Sequence, residues 1–253
     1  MSGFTQKATE IYGHRAMAQA IAEILEGVTE HYFSASPSGD YRPREIEVVL
    51  AGAPRTVQTA GGVFSPEHLD RGTEILLAHL DSGLEAAHDT ELDTDSDPDQ
   101  GPTAAPMLDI GCGWGPIALA AALNHPEREV WAIDVNERSR ELTRANADRL
   151  GLTNVRVCAP EEVPADLQFA EIRSNPPIRV GKEALHEILQ QWLPRLAPGG
   201  VASLVVAKHL GADSLQRWIA AEFPSLEVSR PTRSKGFHVL RAEAAAGSED
   251  SEA

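Results

Sequence analysis

Residues 107–123, MLDIGCGWGPIALAAAL, carry the clearest indication of the fold of this chain. The stretch opens with a short apolar run, continues through glycines at every second position from 111 to 115, and ends in apolar residues at helical spacing. The pattern predicts a strand, a tight turn and a buried helix. Because glycine lacks a Cβ atom, the turn can approach a ligand closely, and the free N–H groups of the helix start favour polar or anionic ligand groups.

The glycine spacing favours a nucleoside ligand over a nicotinamide dinucleotide. A dinucleotide fingerprint requires a glycine at position 116, where this chain has Pro116. The next predicted strand, at 129–134, ends at Asp134, whose carboxylate can accept two hydrogen bonds from ribose hydroxyls. This half of the site is therefore predicted to bind an adenosine-type ligand.

A second motif, SNPP at residues 174–177, predicts the chemistry. It follows a predicted strand at 169–174, and open parallel α/β sheets bind ligands at the carboxyl ends of their strands. Two prolines stiffen the backbone, so the Asn175 side-chain oxygen and the Pro176 carbonyl can act as two fixed acceptors for one NH₂ group. An isolated Asn-Pro-Pro is more typical of a turn, but its place downstream of the glycine loop favours catalytic roles for Asn175 and Pro176.

Together these motifs resemble those of the class I S-adenosylmethionine-dependent methyltransferases, whose first strand ends in D-x-G-x-G-x-G. The resemblance implies S-adenosyl-L-methionine as the cofactor. It places Asp109 near the methionine amino group, the glycine loop under the methionine part, and Asp134 at the ribose. The cofactor-binding residues implied for the loop are Gly111, Cys112, Gly113 and Gly115.

Further stretches resemble the small-domain methyltransferases related to the 16S ribosomal RNA guanine-N2 methyltransferase. They are HYFS at 31–34, GVFS at 62–65 with LDRGT at 69–73, NPPIR at 175–179 with Gly181-Lys182, and KGFHVL at 235–240. In that family the segment equivalent to 62–73 packs beside the cofactor, which makes Phe64, Asp70 and Thr73 secondary candidates. A capped helix start at Ser65 or Thr73 is an equally good interpretation.

This chain departs from the family pattern at three positions. Ile178 stands where many amino-methylating relatives have an aromatic residue, so an apolar slot replaces stacking on the target base. Glu161 takes the place of the acidic residue that relatives position for the adenine amine, and Ala170 stands where relatives commonly have Asp.

The order of predicted elements gives an α/β fold: a Rossmann-like seven-stranded methyltransferase sheet, mostly parallel with a C-terminal antiparallel hairpin, plus a small N-terminal elaboration. Residues 1–80 are predicted to form a helix and hairpin elaboration packing on the catalytic domain, 81–106 an acidic flexible insert, 107–242 the catalytic domain and 243–253 a disordered acidic tail. Strands are expected at 107–110, 129–134, 155–158, 169–174, 201–207, 226–229 and 237–241, and helices at 74–80, 116–123, 136–150, 182–196 and 212–222.

The formal net charge of −16 opposes binding to nucleic acid, but its distribution is uneven. Residues 85–100 hold seven carboxylates and residues 243–253 hold four, which leaves 27 acidic against 22 basic residues elsewhere. Basic residues follow the ends of predicted strands, at Arg179 and Lys182, at Lys208 and His209, and at Arg233 and Lys235. The predicted substrate-binding residues are Pro177, Ile178, Arg179, Lys182 and Lys208, although any one of these cations could be an ordinary solvated charge.

The function expected from the sequence is methylation of a guanine exocyclic amine in RNA, with small-subunit ribosomal RNA as the partner. The same Asn-Pro-Pro chemistry serves adenine N6 and the glutamine side-chain amide, and a noncatalytic RNA-binding assembly factor is the alternative from another class. Two isolated cysteines indicate neither a disulfide framework nor a zinc site. We expect a cytoplasmic monomer without a metal or a membrane partner.

Overall fold

The computed structural model describes residues 41–88, 105–177 and 181–246, with the backbone alone described at 83–88. The predicted N-terminal helix, most of the acidic insert, Ile178 and Arg179, and the end of the tail lie outside these ranges. In chain order the elements are β1 (Arg44–Leu50), β2 (Ala53–Thr59), α1 (Arg71–His88), β3 (Met107–Ile110), α2 (Pro116–Asn124), β4 (Val130–Ile133), α3 (Glu137–Arg149), β5 (Val155–Cys158), β6 (Phe169–Ser174), α4 (Lys182–Trp192), β7 (Leu196–Ala207), α5 (Ala212–Glu222), β8 (Leu226–Ser234) and β9 (Phe237–Ala244).

The main sheet has seven strands in the order β5-β4-β3-β6-β7-β9-β8. Strands β3 to β7 pair in parallel, while β9 runs antiparallel between β7 and β8. This confirms the predicted Rossmann-like sheet with an antiparallel hairpin. The chain winds outward from β3 to β5 and then returns to the other side of β3, so the direction of winding reverses between β3 and β6. Ligands of such sheets bind at this switch point.

Helices cover both faces of the sheet. On one face α4 and α5 bury Leu189, Trp192 and Ile219 against β6 and β7. On the other face the predicted N-terminal hairpin is present, because β1 pairs antiparallel with β2 around the turn at Ala51 and Gly52. Its side chains share one core with α1, α2 and α3, formed by residues that include Val48, Leu50, Val57, Leu76, Leu119 and Leu142.

Three predicted helix limits were wrong. Helix α1 begins at Arg71 rather than Glu74, because Asp70 caps it there. Helix α1 continues to His88 rather than ending at Leu80, because the residues after position 80 include good helix formers and a lone glycine costs only about 1 kcal/mol. Helix α4 ends at Trp192 rather than 196, since Pro194 cannot donate the N–H that an α-helix needs; a short 3₁₀ turn follows at Leu193–Arg195. Strand β9 runs to Ala244, past the predicted domain boundary at 242, because Ala244 pairs with Leu226.

Candidate active site at the switch point of the sheet

The two motifs meet because their strands are neighbours. Strands β3 and β6 pair in parallel, and the Ser174 hydroxyl at the end of β6 donates to the Ile110 carbonyl at the end of β3 at 2.7 Å. A cleft enclosing about 340 Å³, part of it open to solvent, lies above this junction. Three segments line it: the glycine loop with the start of α2, residues of the 64–73 segment, and Asn175.

The glycine loop requires backbone conformations that other residues rarely adopt. Gly111 and Gly115 have φ angles of 74° and 100°. A Cβ atom at Gly115 would lie 3.0 Å from the Thr143 side chain and 3.1 Å from that of Leu119, whereas a Cβ atom at Gly111 would meet nothing within 4 Å. Gly115 therefore serves packing of the loop against α2 and α3, and the absent side chain of Gly111 leaves space for a ligand.

Asp134 holds the glycine loop in place. Its Oδ2 atom accepts the Gly113 N–H at 3.0 Å, and its Oδ1 atom accepts the Asn136 N–H at 2.8 Å. Burial raises the pKa of this carboxyl, and both hydrogen bonds oppose that rise. Asp134 is not among the residues that line the cleft. Since a carboxylate can accept further hydrogen bonds, ribose binding by Asp134 stays a prediction.

Asp109 lies beneath the loop and is 1% exposed. Its Oδ2 atom accepts the Ala118 N–H at the start of α2 at 3.0 Å, while its Oδ1 atom is buried without a protein partner. Burial raises the pKa of Asp109 to about 7, and the nearby charge of Asp134 adds to the rise. Buried polar atoms are usually paired, so an unpaired carboxylate oxygen below a ligand cleft is suited to a cationic ligand group.

The side chain of Asn175 is held by the segment that precedes α1. Its Nδ2 atom donates to Asp70 Oδ2 at 2.8 Å and to Thr73 Oγ1 at 3.1 Å. Both hydrogen bonds are made by the amide nitrogen, so the carbonyl oxygen of Asn175, a residue that lines the cleft, is not the atom that meets Asp70 and Thr73. Pro176 is buried behind Asn175, and Pro177 is half-buried. The acceptor role predicted for the Pro176 carbonyl stays a prediction.

The predicted helix cap at Ser65 or Thr73 was wrong, because Asp70 caps α1 and the Ser65 hydroxyl donates to the His68 carbonyl instead. The same Oδ2 atom that binds Asn175 also accepts the Gly72 N–H at 2.8 Å and the Thr73 N–H at 3.2 Å, so Asp70 caps α1. Thr73 is 3% exposed and also lines the cleft. Phe64 lines the mouth of the cleft and is 50% exposed. The DRGT pattern before a helix signals the cap, but only the fold brings the cap to Asn175.

Buried asparagines form a further support that no sequence pattern indicates. Asn146 of α3 donates to the Trp114 carbonyl in the glycine loop at 2.9 Å and to the Gln58 carbonyl of β2 at 2.8 Å, and its Oδ1 atom accepts the Gln58 N–H. Asn136 donates to the Gly62 carbonyl at 2.9 Å. These bonds tie the N-terminal hairpin and the 62–73 segment to the loop.

Other predicted site residues lie around the cleft rather than in its lining. Glu161 is exposed on a 3₁₀ turn after β5, where its neighbour Glu162 accepts the Ala159 N–H at 2.6 Å. Lys182 and Lys208 are exposed, after the ends of β6 and β7 respectively.

Cys112 lines the cleft, but its thiol is directed at α3. The Thr143 hydroxyl donates to the Cys112 Sγ atom at 3.4 Å, and burial raises the pKa of this thiol well above its usual value. A contact between Cys112 and the cofactor would therefore come from the backbone of the loop.

The ranges covered by the structure contain no group of three or more His, Cys, Asp and Glu side chains placed to hold a metal ion. No helix within those ranges is both long and apolar enough to cross a bilayer.

Comparison with known proteins places this site in a family. The sequence pattern of the methyltransferase small domain matches residues 54–241. The uncharacterized protein YbxB of Bacillus subtilis (strain 168) is 32% identical over 218 residues, which cover 85% of this chain and 98% of that protein. Ribosomal RNA small subunit methyltransferase C of Ectopseudomonas mendocina (strain ymp) is 31% identical over 180 residues, 70% of this chain and 49% of that protein. The chain thus spans about half the length of the methyltransferase C relatives.

A solved structure shares the fold. It is a T. thermophilus 16S rRNA N2 methyltransferase in complex with AdoMet and guanosine, with a TM-score of 0.63, 22% identity, and coverage of 82% of this chain and 52% of that chain.

A glycine loop and an acceptor motif that meet at the switch point of a seven-stranded sheet define an S-adenosylmethionine-dependent methyltransferase. The match over residues 54–241 shows that this chain belongs to the methyltransferase small domain family, whose methyl donor is S-adenosyl-L-methionine.

Proposed function

We propose that this enzyme transfers the methyl group to the exocyclic amine of guanine in RNA, with small-subunit ribosomal RNA as the substrate. The observation that carries the proposal is the direction of the Asn175 amide: both of its N–H groups are held by Asp70 and Thr73, so its oxygen is available to a ligand in the cleft beside the glycine loop. The names of the relatives with about 30% identity support RNA as the substrate class.

The residues around the cleft fit the cofactor. The unpaired Oδ1 atom of Asp109 would accept a hydrogen bond from the methionine ammonium group, Gly111 and Gly113 would lie under the methionine part, and Asp134 would bind the ribose through its remaining lone pairs. Bound there, S-adenosyl-L-methionine supplies an electrophilic methyl group on a sulfonium.

The protein's contribution to the reaction is to hold the amine. The nitrogen of a guanine amine is a poor nucleophile because its lone pair is delocalised into the ring. Hydrogen bonds from its two protons to Asn175 Oδ1 and the Pro176 carbonyl favour the pyramidal nitrogen and stabilise the positive charge that develops on it. Two prolines fix these acceptors before the substrate arrives, so little ordering is needed. Once cationic, the nitrogen is acidic and can lose its proton to water.

A methyl-transfer assay separates this reaction from the related ones. The full chain is incubated with S-adenosyl-L-methionine carrying a labelled methyl group and, in parallel, with small-subunit ribosomal RNA, DNA and a release-factor protein. We expect label in RNA, recovered as N2-methylguanosine, and none with the Asn175→Ala variant. Label in protein alone, or in RNA as N6-methyladenosine, would overturn the guanine assignment. Absence of label from every substrate, with RNA binding retained, would favour an assembly factor.

Other features support contact with RNA in the cytoplasm. Lys182 and Lys208 are exposed on the rim where the strands end, and Arg179 follows the prolines in sequence. We propose that these cations, with Pro177 and Ile178, contact the substrate. Both cysteines are free thiols, as expected in a reducing compartment. We propose that the enzyme acts there as a monomer.

A further inference from the structure

A second cleft lies beside the first, on the other side of the start of α1. It encloses about 840 Å³, partly open to solvent, between α1 and the turn that joins β8 to β9. Asp70 and Thr73 face the catalytic cleft, whereas Arg71 and Glu74 line the second cleft. A polymer chain that delivers one unit to Asn175 can therefore continue into the second cleft by crossing a single helical turn.

A glycine in α1 and a β-bulge in β8 shape this cleft. A Cβ atom at Gly72 would lie 3.1 Å from the Phe237 ring and 3.0 Å from Asp70 Oδ2, so glycine lets the β8–β9 turn pack against the start of α1. The pairing of β8 with β9 shifts between Ser229 and Thr232. Such a bulge re-aims the side chains that follow it. As a result Thr232 lines the cleft beside α1, whereas Arg230 binds Gln216 and Asp213 of α5.

Two cations in the lining have no side-chain partner within the part of the chain that the structure describes. Among the described residues neither Arg71 nor Lys235 has a hydrogen bond or an ion pair through its side chain, in contrast to Arg149, which binds Glu45 at 2.8 Å, and Arg173, which binds Glu171 at 2.7 Å. A third cation, Lys208, adjoins the same turn, since its backbone N–H donates to the Gly236 carbonyl at 2.8 Å.

Both unpaired cations stand where local structure disfavours them. Arg71 is the first residue of α1, and the positive end of a helix dipole repels a cation. Lys235 has a φ angle of 49°, a left-handed conformation that glycine and asparagine adopt more readily. Residues that break local rules without a compensating contact within the protein are expected at functional positions.

The remaining polar groups of the cleft leave its charge positive. His79 packs against β8 with its Nδ1 atom 3.0 Å from the Thr232 hydroxyl. Burial, and to a lesser extent the charge of Arg241, lower the pKa of His79, so its imidazole is neutral at pH 7. Glu74 is the acidic residue of the lining, against Arg71 and Lys235. A polar, cationic cleft of this size suits a phosphate-bearing unit better than an apolar ligand.

We propose that the second cleft binds the RNA strand next to the methylated nucleotide, with Arg71 and Lys235 contacting its phosphates. The proposal rests on RNA being the substrate. It assigns to the β8–β9 turn and to α1 a role in holding the strand, while Asn175 receives the target base. Binding of the strand would then depend on both clefts, and binding of a lone nucleoside on the first cleft alone.

The test compares RNA binding with nucleoside binding in three variants of the full chain. Arg71→Gln and Lys235→Asn each remove one cleft cation, and both replacements suit the local backbone, so the fold is retained. Arg128→Gln is the matched control, because Arg128 precedes β4 at the amino ends of the parallel strands, lines neither cleft, and has no partner for its Nε atom among the described residues. Fluorescence anisotropy measures binding of a labelled single-stranded RNA decamer across a salt series, and calorimetry measures binding of guanosine.

For each cleft variant we expect weaker RNA binding and a slope of log Kd against log salt that falls by about 0.7, the value for one phosphate contact on a single strand. Guanosine binding should match the wild type in all three variants. The RNA slope of Arg128→Gln should also match the wild type. Unchanged slopes in both cleft variants, an equal loss in Arg128→Gln, or no RNA binding by the wild type would each overturn the proposal. Normal RNA binding with cleft-dependent slopes but no methylated RNA would instead refute the proposed reaction and leave the cleft assignment standing.

Discussion

At the scale of single residues, the chemistry depends on the direction of one amide. An asparagine side chain has nearly the same shape after a half-turn, so only its partners decide which end faces a ligand. A carboxylate is acceptor-only when ionised, so the Asn175 carbonyl oxygen cannot replace its Nδ2 atom against Asp70 Oδ2 without repulsion. Asp70 thereby fixes the direction of the amide, and in the proposed reaction the Asn175 oxygen is the group that an incoming amine meets.

Replacement of Asn175 tests the acceptor itself. We expect Asn175→Ala to lower turnover by at least about tenfold, since one acceptor of developing charge commonly contributes a few kcal/mol to the transition state. Cofactor affinity should change little, because the proposed partner of Asn175 is the substrate amine and not the cofactor. Single-turnover methylation of RNA and calorimetry with the cofactor measure the two quantities. Near-normal turnover in this variant would rule out the acceptor mechanism.

Asp70 should act as a positioning residue as well as a helix cap, and two substitutions separate the roles. Asp70→Asn keeps an oxygen for the cap and for Asn175, so turnover should stay within a few fold of the wild type. Asp70→Ser keeps a good cap but is too short to hold Asn175, so turnover should fall roughly tenfold while the melting temperature is retained. Equal turnover in the two variants would show that Asp70 is a cap alone.

Buried Asp109 should make stability depend on pH in an unusual direction. Its folded-state pKa of about 7 lies above the ordinary value, so between about pH 4 and pH 7 the folded chain holds a proton that the unfolded chain has lost. Stability therefore falls as the pH rises through this window, by an Asp109 contribution on the order of 4 kcal/mol. Urea unfolding at pH 5 and pH 8 should show a smaller loss for Asp109→Asn than for the wild type. The same loss in both would contradict the assignment.

At the scale of elements, Asn146 joins three parts of the site. Loss of its side chain leaves the Gln58 and Trp114 backbone groups unsatisfied, so Asn146→Ala should destabilise the protein by about 3 kcal/mol and weaken cofactor binding. Asn154→Ala is the matched control. Asn154 also donates to several backbone carbonyls, but it precedes β5 and so lies at the amino ends of the strands, away from the glycine loop. Chemical unfolding and cofactor calorimetry should show destabilisation in both variants but weaker binding only in the first. Equal cofactor affinities in Asn146→Ala and Asn154→Ala would contradict the role of Asn146 in cofactor binding.

The sequence predicts those elements whose signals are local. The run from β3 through the glycine loop into α2 has the predicted limits to within one residue, because apolar periodicity and glycine spacing act over a few residues. The end of α1 was missed, since an acidic composition indicates solvation better than it indicates backbone conformation. The bond between Asp70 and Asn175 spans 105 residues, so only the assembled sheet reveals it.

At the scale of the whole molecule, the distribution of charge matters more than its sum. A chain with a net charge of −16 repels RNA on average, yet Arg71, Lys208 and Lys235 gather around the turn between β8 and β9. In the proposed complex, their concentration beside the cleft provides a local positive field that would guide a polyanion to one place. The hairpin β1–β2 lies in the same core as α1, so the part of the chain that holds Asn175 is integral to the catalytic unit.

Mapping of modified nucleosides in cells would show whether this protein methylates guanine in ribosomal RNA. Small-subunit ribosomal RNA is isolated from cells that contain the wild-type protein, no protein or the Asn175→Ala variant, and mass spectrometry locates each methylated guanosine. We expect one N2-methylguanosine that is present with the wild type and lost in the other two strains. An unchanged set of methylated nucleosides across the three strains would contradict the proposed reaction.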